Sequence, residues 1–211
     1  MSNSYSEEQK CLLCGKDVIL KSTTQTGYKE PDLFHIWHCV NCNTAFSTPR
    51  VNTDDVYELI YQHAEDLHGY SEYLRIHKEI KSKKNPLRYL VADSLTYWSV
   101  AYSLKKLVKA DKNMSIFEIG SGLGYLTYAL HKEGYNAKGL DVSEEAVNKA
   151  KEYFGDFYLH EDLFSYAETH ENSIDVIILT EVIEHVEDPL KFYAGISEVI
   201  EKRRTYYFNN T

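Results

Sequence analysis

The stretch Ile116-Phe-Glu-Ile-Gly-Ser-Gly-Leu-Gly-Tyr125 constrains this chain more than any other. A short apolar run bounded by glycines reads as a buried strand. Gly120, Gly122 and Gly124 then let the backbone turn sharply and approach a ligand closely, because no Cβ stands in the way. Leu126, Ala129 and Leu130 follow at helical spacing up to Lys132. The order is therefore strand, glycine loop, helix. The glycine spacing also discriminates. A dinucleotide fingerprint needs its third glycine three residues after the second, and that place holds Tyr125. A nicotinamide-dependent oxidoreductase is disfavoured on this ground, and a tight turn with no ligand is the bland alternative.

Further strand–helix alternation follows. Asn136 to Val142 reads as a second strand ending in Asp141, about 20 positions after the loop begins, where a carboxylate would accept from the two hydroxyls of a ribose. Ser143 caps the next helix, with Glu144 and Glu145 in its first turn to suit the helix dipole. Gly155 to His160 reads as a third strand, followed by Asp162 and Leu163. Ser173 to Thr180 is a continuous apolar strand of the sort buried on both faces of a parallel sheet. Glu181-Val-Ile-Glu-His-Val-Glu-Asp-Pro189 comes next. The fold class is α/β, a Rossmann-like parallel sheet with helices on both faces.

The form Glu-x-Gly-x-Gly-x-Gly at Glu118, Gly120, Gly122 and Gly124 resembles motif I of the class I S-adenosylmethionine-dependent methyltransferases. The Glu181–Pro189 string is similar to the segment after the fourth strand in many small-molecule members of that superfamily. The resemblance covers residues 116 to about 195. It implies that the three glycines and Asp141 hold the cofactor and that Asp162 and Leu163 contact the adenine. It also implies that Glu118 serves the methionine end, and that Thr180 and Glu181 line the cofactor floor.

Cys11-Leu-Leu-Cys14 and Cys39-Val-Asn-Cys42 form the second strong signal. Each Cys-x-x-Cys turn presents two thiolates to one ion, and two such turns complete a closed tetrahedral Zn2+ site that stabilises without catalysing. A redox site needs only one pair, and disulfides do not suit a chain without a secretion signal. His35 and His38 stand by as substitute ligands that a full Cys set makes unnecessary. Phe34 to Arg50, followed by Asn52 to Tyr61, resembles the N-terminal zinc-binding segment of a bacterial methyltransferase group. The best understood members of that group are C-methyltransferases of nucleotide-linked sugars. Asn43 replaces the usual Gly, and Asn tolerates the same left-handed turn.

The expected organisation is a zinc ribbon over 1–52, helical linker and cofactor-covering helices over 53–113, and the cofactor domain over 114–211. Thr53-Asp-Asp caps a first linker helix, and apolar residues from Leu87 to Lys109 recur at helical spacing after Asn85-Pro86. Asp188 to Lys202 forms a helix and Thr205 to Thr211 the fifth strand, after which the chain stops. The last two strands of a seven-stranded methyltransferase sheet are thus expected to be missing. That would leave an unpaired edge open to a second copy of the chain.

No apolar run approaches the roughly 18 residues of a membrane span, and the polar N-terminus is no signal peptide. A cytoplasmic enzyme with no membrane partner is expected. Net charge −9 argues against a general nucleic-acid binder, and Lys78 to Lys84, the one basic run, reads better as a solvated face. Tyrosines are useful in ligand pockets, but the 18 here are scattered, and most read as packing and surface.

The expected reaction is in-line attack on a sulfonium-bound methyl group in a small polar acceptor, such as a sugar. His185 is the proposed base, since imidazole titrates near neutrality; Glu184 or a tyrosine is the fallback. Two alternatives stay open: a non-catalytic cofactor-binding or zinc-ribbon interaction module, and an RNA methyltransferase.

Overall fold

The computed structural model describes residues 9–26, 33–50, 60–61, 63 and 70–200, and the backbone of 206–209. The expected helix start at Thr53 lies outside the described residues. The chain divides into two compact units, Met1–Asn52 with Glu187–Lys191, and Thr53–Val186 with Phe192–Thr211.

The first unit is a three-stranded antiparallel sheet of β1 (Ile19–Thr26), β2 (Leu33–His38) and β3 (Ala45–Thr48), in that order. β1 and β2 pair as an extended antiparallel ribbon between the two cysteine pairs, from Ile19 opposite His38 to Thr26 opposite Leu33. Among the described residues, Phe46 is its one buried apolar residue outside the cysteines, and the Trp37 indole N–H donates to Thr48 Oγ1 at 2.8 Å. So small a core needs another source of stability.

In the second unit, helices α1 (Ser71–Ile80), α2 (Pro86–Asp93) and α3 (Leu95–Tyr102) precede the sheet. The sheet strands are β4 (Ser115–Ile119), β5 (Asn136–Asp141), β6 (Tyr158–His160), β7 (Val176–Thr180) and β8 (Tyr206–Asn209). Between them run α4 (Tyr125–Lys132), α5 (Glu144–Phe154), α6 (Leu163–Thr169) and α7 (Pro189–Val199). The strands are all parallel, in the order β6-β5-β4-β7-β8. The chain leaves β4 toward one edge and returns to the other, so the order reverses between β4 and β7. Ligands of open α/β sheets bind at the strand carboxyl ends beside such a reversal.

The period-2 alternation of the strands splits the core into two layers. Ile116, Val176 and Ile178 pack with Leu126, Ala129 and Leu130 of α4 and with Leu90 of α2. Phe117, Ile119, Ile177 and Leu179 point the other way, onto Leu163, Ile196 and Val199. Burial on both faces is why the β7 segment reads as an unbroken apolar run.

The helix expected over Leu87–Lys109 is not continuous. Asn85 starts it as expected, its side chain accepting from Arg88 N at 2.8 Å with Pro86 at the first turn. Ser94 then adopts an extended conformation (φ −144°, ψ 143°) and caps a new helix by accepting from Thr96 N. A π-helical segment, Ser103–Val108, follows and ends at Lys109 in the left-handed region. Apolar periodicity carries across the break because both helices bury the same side. Only the capping serine signals the interruption.

The glycine loop is required by geometry on two counts. Gly120, Gly122 and Gly124 have φ of +73°, +49° and +77°. A Cβ on Gly124 would also stand 2.5 Å from the Tyr158 ring and 2.8 Å from Ala150 Cβ. Gly124→Ala is accordingly expected to cost about 2–4 kcal/mol, combining left-handed strain with overpacking. Urea unfolding checks this, and a loss under half a kcal/mol would show that neither constraint operates.

Candidate active site and candidate metal centre

A cavity of about 570 Å³ opens at the carboxyl ends of β4 and β7, within the size range of ligand pockets. Its floor is the glycine loop: Glu118, Gly120, Ser121, Gly122 and Leu123, with Tyr125 at the start of α4. Thr180, Glu181 and His185 close it on the β7 side. Its cover comes from α1 (Tyr70, Glu72, Tyr73 and Ile76 at or beside the helix) and from the α2–α3 junction (Asp93, Ser94, Thr96 and Tyr97), with Tyr61. Of the candidate residues, Glu118, Gly120, Gly122, Thr180, Glu181 and His185 line this one cavity. Gly124, Asp141, Asp162 and Leu163 are not among the described lining residues.

Asp141 acts on the loop from behind. Its Oδ2 accepts the N–H of Gly122 at 2.7 Å and its Oδ1 that of Ser143 at 2.9 Å. Burial raises its carboxyl, against the pull of those two N–H groups. A carboxylate has about four acceptor sites, so two taken sites leave capacity for a ligand hydroxyl. Asp162 is an N-cap, accepting from the N–H groups of Phe164 and Ser165 and from the Ser165 hydroxyl. Burial works to raise its carboxyl, but the bonds from Ser165 and Phe164 outweigh it and hold the group low. Leu163 is buried in the core layer beneath.

Glu118 is only 4 % exposed. Its Oε2 accepts the Thr127 N–H at 2.9 Å and the Thr127 hydroxyl. Burial pushes its carboxyl up to about 8, against the pull of Thr127, and nearby Asp141 adds to the rise. Between an ordinary 4.5 and that value, the folded chain holds a proton that the unfolded chain has lost. Stability from this group is therefore full below about pH 4.5 and drains as pH rises toward 8, by about 1.4 kcal/mol per pH unit. Glu118→Gln is expected to flatten that slope in urea unfolding run across this range; an unchanged slope would contradict a buried proton here.

One polar atom in the cavity wall is conspicuous. The Ser121 hydroxyl is buried and has no hydrogen-bond partner among the described residues. Buried hydroxyls are nearly always satisfied, so this one awaits a ligand or water. Across the floor, a Cβ on Gly122 would come within 2.7 Å of Tyr61 Oη, leaving room there for backbone only. Both features fit an extended polar ligand lying along the loop.

Five of the 18 tyrosines are exceptions to the packing-and-surface expectation for most of them. Tyr61, Tyr70, Tyr73, Tyr97 and Tyr125 all line the cavity, and Tyr97 and Tyr125 share a hydroxyl–hydroxyl bond of 2.9 Å. Their spread over three segments of chain hid the cluster. Also missed was His77, buried in α1, whose Nδ1 lies 3.0 Å from the Leu123 carbonyl and ties α1 to the glycine loop.

The topology, the glycine floor and the cavity at the strand reversal agree with the comparison to known proteins, in which residues 117–208 match the methyltransferase domain family. That match covers a little under half of the chain. Two curated relatives are ubiquinone biosynthesis O-methyltransferases. The one from Hydrogenovibrio crunogenus is 28 % identical over 109 residues, covering 49 % of this chain and 45 % of its own. The one from Methylococcus capsulatus is 30 % identical over 97 residues, covering 44 % and 41 %. The chain thus spans less than half the length of these relatives. Among solved structures, the plantazolicin methyltransferase in complex with S-adenosylhomocysteine overlaps 73 % of this chain and 57 % of its own. It does so at 18 % identity and a TM-score of 0.45.

The four cysteines of the ribbon also converge. Their sulfurs lie within 4.8 Å of one another, with contacts of 3.5 Å between Cys11 and Cys42 and between Cys14 and Cys39. These are too long for a disulfide, and all four thiols are free. Sulfurs bound tetrahedrally at about 2.3 Å would be about 3.8 Å apart, so the cluster fits one ion. The two turns repeat one construction. Gly15 N donates to Cys11 O and Cys11 N to Lys16 O, while Asn43 N donates to Cys39 O and Cys39 N to Thr44 O. Gly15 and Asn43 occupy the left-handed position in each, at φ +67° and +61°. His38 does not join the cluster's ligand set; its Nε2 lies 2.9 Å from the Asn43 side-chain oxygen.

Among the described residues no helix is long and apolar enough to cross a membrane. The basic run from Lys78 is engaged locally, Lys81 donating to the Tyr153 carbonyl and Lys83 pairing with Glu79.

Proposed function

We propose that the chain transfers a methyl group from S-adenosylmethionine to a small polar molecule, with a structural zinc ion in its N-terminal unit. The observation that carries this reading is the cavity at the strand reversal, floored by the glycine loop and holding the partnerless Ser121 hydroxyl. The cofactor supplies a methyl group already activated on a sulfonium. The protein's work is positioning. Gly120 to Gly124 form the close-approach floor, and Asp141 and Glu118 serve the ribose and methionine ends. Asp162 and Leu163 border the adenine, and Thr180 and Glu181 flank the reacting centre. The naming of the two curated relatives as O-methyltransferases of ubiquinone biosynthesis supports a small acceptor with an attacking hydroxyl.

His185 ends a short helical turn, Ile183–His185, whose Val182 carbonyl accepts the His185 N–H at 3.0 Å. It is exposed and lines the cavity, so its imidazole can take the acceptor's proton and pass it to solvent. His185→Ala is expected to lower turnover by about 10²–10⁴-fold with cofactor affinity intact. Loss of cofactor binding as well would give His185 a structural role instead. Cys11, Cys14, Cys39 and Cys42 are the proposed zinc ligands. β8 ends the described sheet, and a second copy pairing along it is the proposed route to a dimer. Analytical ultracentrifugation reads that directly, and a monomer at high concentration would discard it.

A further inference from the structure

The walls of the cavity differ from what a phosphorylated acceptor needs. Glu72, Asp93 and Glu181 line it together with Tyr70, Tyr73 and Tyr97, and no Lys or Arg is among the described lining residues. Arg75, beside the wall, is committed: it donates to Glu72 and Asp93 at 2.9 Å each and to the Tyr89 hydroxyl at 2.7 Å, which offsets one of the three negative charges of the described lining. Tyr73 senses the convergence of charge. Burial raises its phenol, and the negative charges of Glu181, Glu72 and Glu184 raise it further. Anionic groups that bring no cation of their own, unlike the zwitterionic methionine end of the cofactor, are held by Arg forks, Lys or helix N-termini, whereas aromatic faces beside carboxylates attract cations and tolerate neutral hydroxylated rings. The buried, unpartnered Ser121 hydroxyl marks the same cavity as built for a ligand.

Resting on the methyltransferase reading, we propose that the methyl acceptor enters this tyrosine- and carboxylate-walled cavity as a cationic or uncharged hydroxylated molecule, and that acceptors whose phosphate or carboxylate has no cation of its own, nucleotide-linked sugars included, are excluded. The acceptor hydroxyl or amine attacks the sulfonium methyl carbon as the carbon–sulfur bond breaks. The acceptor's proton leaves to the base, and S-adenosylhomocysteine departs.

The test titrates the zinc-loaded chain, with and without saturating S-adenosylhomocysteine, against three probes. Tyramine and 4-hydroxyphenylacetate share a phenol and differ in charge; a thymidine-diphosphate-linked glucose carries two phosphates. Tyramine is expected to bind at least about tenfold more tightly than 4-hydroxyphenylacetate, and the nucleotide sugar not to bind. Glu181→Gln should shrink the tyramine preference, as should added salt, which needs no variant to fold. Equal or reversed preference, tyramine failing to bind up to about 10 mM, or binding of the nucleotide sugar would each overturn the proposal. Comparing the arms with and without S-adenosylhomocysteine keeps the two readings apart. Failure to bind S-adenosylhomocysteine removes the methyltransferase reading, while the probe preference still reports on the walls.

Discussion

Stripping the metal from the zinc-loaded chain with a strong chelator is expected to unfold residues 9–50. The three-stranded sheet there buries little beyond Phe46 and the cysteines Cys11 and Cys39. A single small sheet of this kind falls short of independent stability. In zinc-finger peptides a closed four-ligand site contributes apparent folding free energy of about 10–16 kcal/mol, as much as the whole net stability of an ordinary domain, about 5–15 kcal/mol. Cys39→Ser should act like the chelator, because Cys39 is fully buried and both its N–H and its carbonyl belong to the second turn. Elemental analysis should find one zinc per chain before chelation. Backbone NMR of the ribbon residues reads the outcome. A chain that purifies without metal and keeps its ribbon signals would remove zinc from the account.

Asp141→Ala should have the second large effect, the loss of cofactor binding by about 100-fold or more. Two terms add. The first is direct, a ribose whose hydroxyls lose a charged acceptor, each such bond contributing about 1.5–3 kcal/mol. The second is indirect, because Asp141 holds the Gly122 N–H and so shapes the loop on which the ligand lies. Asp141→Asn separates them. An amide keeps one oxygen for Gly122 and loses the charge, so an intermediate loss assigns weight to the ribose. Near-wild-type affinity in the alanine variant would show that the carboxylate only finishes the turn.

The parts of this fold legible in the sequence are those with local causes. β4, the glycine loop and α4 follow from an apolar run, three glycines and helical spacing. Ser143 and Asn85 cap helices as their side chains dictate. The apolar run ending at Thr180 announced a strand buried on both faces. The cysteine turns at Gly15 and Asn43 were likewise local. What stayed hidden depends on distant convergence. Five tyrosines from Tyr61 to Tyr125 meet only once α1, α2 and α3 close over the sheet. The break at Ser94 escaped because apolar spacing runs through it. The side chain of Asp162 engages the first turn of α6, a role that spacing does not separate from ligand contact. Burial of Glu118 against Thr127, and with it the raised carboxyl, needs the α4 helix in place.

If the cavity at the strand reversal holds an S-adenosyl cofactor, calorimetric titration of S-adenosylhomocysteine into the purified zinc-loaded chain should find one site per chain with micromolar affinity. The unfolding free energy of the second unit should also rise by about 2.7 kcal/mol at a hundredfold excess over the dissociation constant. A folded chain that releases no heat and gains no stability with S-adenosylhomocysteine would contradict a cofactor site there.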